Sequence, residues 1–187
     1  MIKKQRQGRV YVITGASGTG KTTVANYLVR AFHMHKVVTH TTRQPRPGEV
    51  NGVDYYFETP VSIKRRHLLE SVHYDGCLYG SSKEGLAAGW QKGQDDVIVL
   101  ETVGAETYHR LLGDRCVVIY LTVSSAVSLS KRQQERGEST SLVQARLNSA
   151  EDQRDRTLPA PIAQFAHVIV NDNWGQTKQA LREIINY

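Results

Sequence analysis

Long apolar runs are missing from this chain. No stretch approaches the roughly 20 residues that span a bilayer. The basic opening, MIKKQRQGRV, lacks the apolar segment of a signal peptide. A cytoplasmic protein with no membrane partner is therefore expected. Cysteine is scarce: Cys77 and Cys116 stand far apart and fit neither a metal motif nor a redox pair. The seven histidines are dispersed, and His33 and His35 have no third ligand nearby in sequence. Acids are the minority sign, 18 against 24 bases, for a net charge of +6. The bases are scattered, with short clusters only at 3–4, 64–66 and 131–136. Nucleic acid is not the expected partner, because arginines that hold nucleotide phosphates raise the charge equally well. Hydrophobic residues make up 40%, enough for one buried core over 187 residues.

Short apolar strands alternate with helical patterns. Strands are expected at 9–14, 36–39, 95–101, 115–122 and 166–170, the last four rich in valine and isoleucine and read as buried, parallel-type strands. Helices are expected at 21–32, 83–91, 105–112, 124–136, 141–154 and 175–185, with Ser124 and Ser141 as N-caps. This order predicts an α/β fold: a parallel sheet with helices on both faces. Residues 41–79 break the rhythm with turn residues and short strands at 55–57 and 71–74, so a small β-rich lobe is expected there. A polar connection at 133–141 joins two helices.

Residues 15–22 read GASGTGKT, between the first strand and the first helix. Gly15, Gly20, Lys21 and Thr22 fill G-x-x-x-x-G-K-[ST]. Glycines let backbone N–H groups turn inward around an anion, and the following helix adds the positive end of its dipole. Lys21 reaches outer phosphates, and the Thr22 hydroxyl suits a place around Mg²⁺. The reading is a P-loop site for a nucleoside triphosphate, built from Gly15, Ser17, Gly18, Thr19, Gly20, Lys21, Thr22 and Thr23.

A second anion site is suggested by THTTRQPRPGEVNGVDYYF, residues 39–57. Arg43 and Arg46 flank Pro45, which stiffens the turn and lowers the entropy lost when both guanidiniums face one anion. Tyr55 and Tyr56 alternate across a strand, so only one faces that cleft. Taken alone, these residues would better suit an exposed basic hairpin.

The segment resembles the guanylate kinase signature, T-T-R-x-P-R-x-G-E-x-x-G-x-D-Y-x-F, and every specified position is met between Thr41 and Phe57. The resemblance continues through Leu69–Glu70–Ser71 and Gly76–Cys77–Leu78–Tyr79–Gly80–Ser81 to Asn171–Asp172, over nearly the full chain. It implies one domain over 1–187: a P-loop core (1–38, 82–123 and 157–187), a small β-rich GMP-binding lobe (39–81) and a helical lid (124–156). It implies that Thr39, Arg43, Arg46, Tyr55 and Tyr79 lie at the GMP site, the arginines and tyrosines on its phosphate. Glu70, Ser81 and Glu101 read the guanine, and Asn171 joins the ATP site. Guanine suits this set, because a carboxylate accepts from N1–H and the exocyclic amine while a hydroxyl donates to O6. Adenine would leave that carboxylate underpaired. Arg132, Arg136 and Arg146 correspond to lid arginines that act with Lys21 and Arg43 on the transferring group. The implied reaction moves the γ-phosphoryl of Mg²⁺-ATP to GMP or dGMP, by a monomer or homodimer.

The match is looser in the middle third. An acid pair spaced D-x-D is expected where this chain has Val99 and Glu101. Ser71 stands in place of an aromatic residue, and Val103 where glutamine is common. Two alternatives stay open: a catalytically weak binding module, and a P-loop kinase with another phosphorylated acceptor. Retention of Lys21 with Thr22 weighs against the first, and Val99 keeps the second alive.

Overall fold

The computed structural model describes residues 8–74, 76–125, 129 and 150–186. Five strands form a wholly parallel sheet in the order β2 (His35–Lys36), β7 (Asp96–Val99), β1 (Val10–Thr14), β8 (Cys116–Thr122), β9 (His167–Val170). The alternation within β1 assigns its two faces. Tyr11 and Ile13 pack with Val24, Ala25 and Leu28 of α1 (Lys21–Phe32) and Leu181 of α6 (Trp174–Asn186). Val10 and Val12 pack with Leu86 of α2 (Lys83–Gln91) and with Ala105 and Tyr108 of α3 (Thr102–Leu112). Each large apolar side chain buried this way contributes about 1.5–3 kcal/mol. Helices therefore cover both faces, as the alternation predicted.

A second sheet has the order β4 (Tyr55–Phe57), β3 (Thr39–Thr41), β6 (Cys77–Ser82), β5 (Leu68–Tyr74). β3 and β4 are parallel, and the other pairings are antiparallel. This sheet is built from the stretch that broke the helix–strand rhythm. Near the C-terminus lie α4 (Ala150–Arg156) and the short α5 (Ala160–Ala163).

Several expectations are corrected. The strand expected at 36–39 is two strands in different sheets: His35–Lys36 pairs with β7, and Thr39–Thr41 pairs with β4 and β6. One extended run crosses between sheets, and apolar patterning does not register the crossing. The strand at 166–170 is not uniformly buried, because β9 is the sheet's last strand and Val168 and Val170 are each 50% exposed. α3 begins at Thr102 rather than 105, and β5 at Leu68 rather than 71. Most of the helices expected at 124–136 and 141–154, the cap at Ser141 and the connection at 133–141 lie outside the described residues. Among those residues, no helix is long and apolar enough to cross a membrane.

Candidate active site

In a parallel sheet, ligands bind beyond the carboxyl ends of the strands where the chain turns in opposite directions. β1 and β7 end side by side at that place, and their following segments carry Gly15–Thr22 and Glu101. The loop reverses at glycines with positive φ: Gly15 at 129°, Gly18 at 87° and Gly20 at 96°. A side chain at Gly15 would strike the Leu121 carbonyl of β8 at 2.2 Å, so the loop also needs glycine for close approach.

One cavity joins this loop to the second sheet. Its lining includes Ser17, Gly18, Gly20, Lys21 and Thr22 on one side and Thr39, Arg43, Arg46, Tyr55, Glu70 and Tyr79 on the other, with Val99 and Glu101 between them. Sequence positions more than 80 residues apart thus meet in one space. Of the remaining loop residues, Thr19 is buried and donates to the Ala16 carbonyl at 2.9 Å, and Thr23 is exposed.

Lys21 is folded onto its own loop, donating to the carbonyls of Gly15 at 2.5 Å and Ala16 at 3.0 Å. The Ser17 amide donates to Asp152 Oδ1 of α4 at 3.1 Å, so a carboxylate holds a backbone N–H of the phosphate loop. Asn171 acts from behind the loop. Its Nδ2 donates to the Thr19 carbonyl at 2.7 Å and its Oδ1 accepts from Thr177 Oγ1 at 2.9 Å. Its side chain supports the loop's shape from outside the cavity lining.

Arg43 is braced by an acid. Its Nη2 donates to both Glu49 oxygens, at 2.9 and 3.0 Å, and Glu49 also accepts from the Arg46 amide at 2.7 Å. The guanidinium carbon lies 5.4 Å from the Tyr55 ring centroid, and the rings of Tyr55 and Tyr79 meet edge-on at 6.1 Å. Burial pushes the Tyr55 phenol up to about 12, so it stays a hydrogen-bond donor. Tyr56 points away and stacks on His40, as strand alternation required.

Glu70 is buried, and Ser81 Oγ donates to its Oε1 at 2.9 Å. Ser81 in turn accepts from the Tyr108 hydroxyl at 2.8 Å. Ser81 therefore stands behind Glu70, with its proton directed at the carboxylate rather than toward the cavity. Burial, working against the Ser81 hydrogen bonds, raises Glu70 to about 6. A side chain at Gly104 would meet Glu70 Oε2 at 3.1 Å, so the α3 glycine leaves room for this carboxylate.

Glu101 is raised to about 8, first by burial and then by a hydrogen bond with Asp155. Sequence reasoning missed Glu49, Tyr108, Gly104, Asp152 and Asp155. The two α4 acids did leave a signal, since Asp152 and Asp155 fall at i and i+3 on one helical face. Arg132, Arg136 and Arg146 lie outside the described residues.

Known proteins resemble this chain along most of its length. The family model for guanylate kinase matches residues 7–187. A guanylate kinase of Synechococcus sp. (strain JA-3-3Ab) is 36% identical over 185 residues, covering 96% of this chain and 82% of that protein. One from Neisseria meningitidis serogroup A is 34% identical over 187 residues, covering 97% and 88%. The crystal structure of guanylate kinase from Anaplasma phagocytophilum has a TM-score of 0.68 and 25% identity, covering 96% of this chain and 85% of that one. Matches of this length, in sequence and in fold, place the chain in the guanylate kinase family.

Proposed function

We propose that the protein transfers the γ-phosphoryl group of ATP to GMP, and also to dGMP, giving ADP and the nucleoside diphosphate. The observation that carries this reading is the single cavity lined by both the Lys21 loop and the Arg43–Arg46 lobe. Two anion-binding sets that open on one space suit a reaction in which phosphorus passes from one anion to another.

The chemistry asks little covalent work of the protein. A phosphate oxygen of GMP is already a nucleophile at neutral pH and attacks the γ-phosphorus in line. Catalysis then consists of positioning and charge neutralisation. Lys21 supplies a mobile cation: its ammonium now faces two carbonyls, and a phosphate oxygen with a full charge draws it across. Arg43 and Arg46 take the acceptor phosphate, with hydrogen bonds from Tyr55 and Tyr79. Glu70 accepts from guanine N1–H and the exocyclic amine. The resemblance gives Arg132, Arg136 and Arg146, which lie outside the described residues, the role of neutralising charge on the transferring group.

Thr22 fits a Mg²⁺ ion held with the triphosphate. It lines the cavity and is exposed, and its hydroxyl makes no hydrogen bond to the described residues. Mg²⁺ draws most of its ligands from phosphate oxygens and water, so one protein hydroxyl is compatible with it. When bound, the ion neutralises charge on the phosphates.

A coupled assay of ADP formation with GMP, dGMP, AMP, UMP and CMP tests the reading. Turnover with GMP and dGMP at rates far above the other three is the expected result. GMP binding without turnover identifies a binding module, and turnover with a different acceptor overturns the guanine assignment.

A further inference from the structure

We propose that Asp155 is a positioning residue for Glu101: its Oδ2 receives the Glu101 carboxyl proton, so that Glu101 meets the nucleotide cavity as a neutral acid presenting an acceptor oxygen. The proposal deepens the kinase reading and rests on it only for its kinetic arm.

Asp155 is almost fully buried, at 1% exposure, and its surroundings are built. Its Oδ1 accepts from Thr102 Oγ1 at 2.5 Å and from Arg154 Nε at 2.8 Å. The Tyr120 hydroxyl fixes its backbone carbonyl at 2.9 Å. Oδ2 is buried, and among the described residues no N–H group and no alcohol or phenol hydroxyl donates to it. A buried carboxylate oxygen without a donor is costly. Glu101 is the group that meets this need, since the two carboxyls are hydrogen-bonded and such contact requires a proton between them. The proton resides on Glu101. Burial raises both acids, but hydrogen bonds from Glu101, Arg154 and Thr102 bring Asp155 below the usual range.

The charged and titratable groups that face Glu101 are Lys21 from α1, Asp155 and Arg154 from α4, and Tyr55 from β4. Lys21 and Arg154 favour the Glu101 anion, and burial and Asp155 oppose it and prevail.

This arrangement accounts for the odd end of β7. Val99 brings no charge, and a protonated Glu101 brings none either, so this wall of the cavity is uncharged where two polyanions converge. A negative charge on this wall would oppose the phosphate charges that converge there. The neutral acid still offers guanine's amine an acceptor.

Infrared difference spectroscopy on the full chain tests this. Subtracting the Glu101→Gln spectrum from that of the unmodified protein isolates the Glu101 carboxyl. Asp96, another buried acid raised to about 8, is common to both and cancels. The expected difference at pH 7 is a protonated-carboxyl band that titrates near pH 8. Asp155→Asn gives Glu101 an amide donor, so the band's midpoint falls by more than one pH unit, a tenfold shift in proton affinity. Asp155→Glu, which keeps the carboxylate, retains the band at pH 7. In kinetics, the alkaline limb of kcat/KM for GMP moves downward in Asp155→Asn by the same interval. A carboxylate band for Glu101 at pH 7, or a midpoint indifferent to Asp155→Asn, overturns the proposal. Absence of turnover with every acceptor alongside the expected spectra defeats the kinase reading alone.

Discussion

The Ser81 hydroxyl donates to Glu70 at 2.9 Å and has the Tyr108 hydroxyl 2.8 Å behind it. Three side chains from β5, β6 and α3 thus form a buried relay that ends at the cavity wall. Its work is orientation: the bond ties down Oε1 and sets the plane of the carboxylate. Ser81→Ala should raise KM for GMP about tenfold, since a lost hydrogen bond to a charged group costs about 1.5–3 kcal/mol and water recovers part of it. KM for ATP should not change. A rise in both constants would mean that the relay supports the whole fold rather than the guanine site.

Glu70 also sets a pH dependence. Burial raises it to about 6, so it is mainly ionised at pH 7 and takes up a proton as the pH falls through 6. A protonated carboxyl keeps one good acceptor oxygen and loses the second. KM for GMP should therefore rise several-fold between pH 7 and pH 5. The acceptor phosphate titrates in the same window. Glu70→Gln provides the control, because it retains the phosphate's titration without that of Glu70. Identical pH profiles for the two proteins would remove Glu70 from the guanine site.

Glu49 holds Arg43 through two hydrogen bonds and the Arg46 amide through a third. The Arg43 and Glu49 side chains are only 16% and 19% exposed, so the pair is not a solvated surface contact. Glu49→Ala should raise KM for GMP by about tenfold, the equivalent of about 1.4 kcal/mol, because both bases of the anion site lose their common anchor. Titration calorimetry with GMP separates this from competition. Tighter binding in the variant would show that Glu49 occupies Arg43 in place of the phosphate.

What the sequence made legible was local. The loop, the start of α1 at Lys21 and its end at Phe32 follow from glycine chemistry and helical spacing in contiguous residues. The arginine lobe was legible because proline, glycine and alternating tyrosines act over a few positions. Partners far apart in the chain were not legible. Ser17 and Asp152 are separated by 135 positions, and Thr102 and Asp155 by 53. In sequence, Asp152 and Asp155 stand among arginines and look like a solvated helix face. Only the contacts of α4 with Ser17, Thr102 and Tyr120 turn that face inward. The crossing from β2 to β3 was hidden for a related reason, since apolar patterning identifies strands but not the sheet each one joins.

Asp152 carries the remaining prediction. Its Oδ1 accepts from the Ser17 amide at 3.1 Å, and its Oδ2 accepts from Arg156 Nε at 3.0 Å. A phosphate-loop amide thus has a protein anion on it before any nucleotide arrives. A triphosphate that takes that amide must displace the carboxylate, and the displaced charge then lies beside the phosphates. Both effects oppose ATP. Asp152→Ala should tighten ATP binding by roughly three- to tenfold, consistent with a net hydrogen-bond contribution of about 0.5–1.5 kcal/mol. It should also free α4 from the loop, seen as faster amide exchange across 150–156 in the nucleotide-free protein. Because Asp152 is fully buried, a loss of thermal stability is expected as well, and binding is therefore measured well below the midpoint. Weaker ATP binding in a folded variant would reverse the interpretation. The carboxylate would then be a strut that keeps the loop open for phosphate, and α4 would assist the donor nucleotide instead of competing with it.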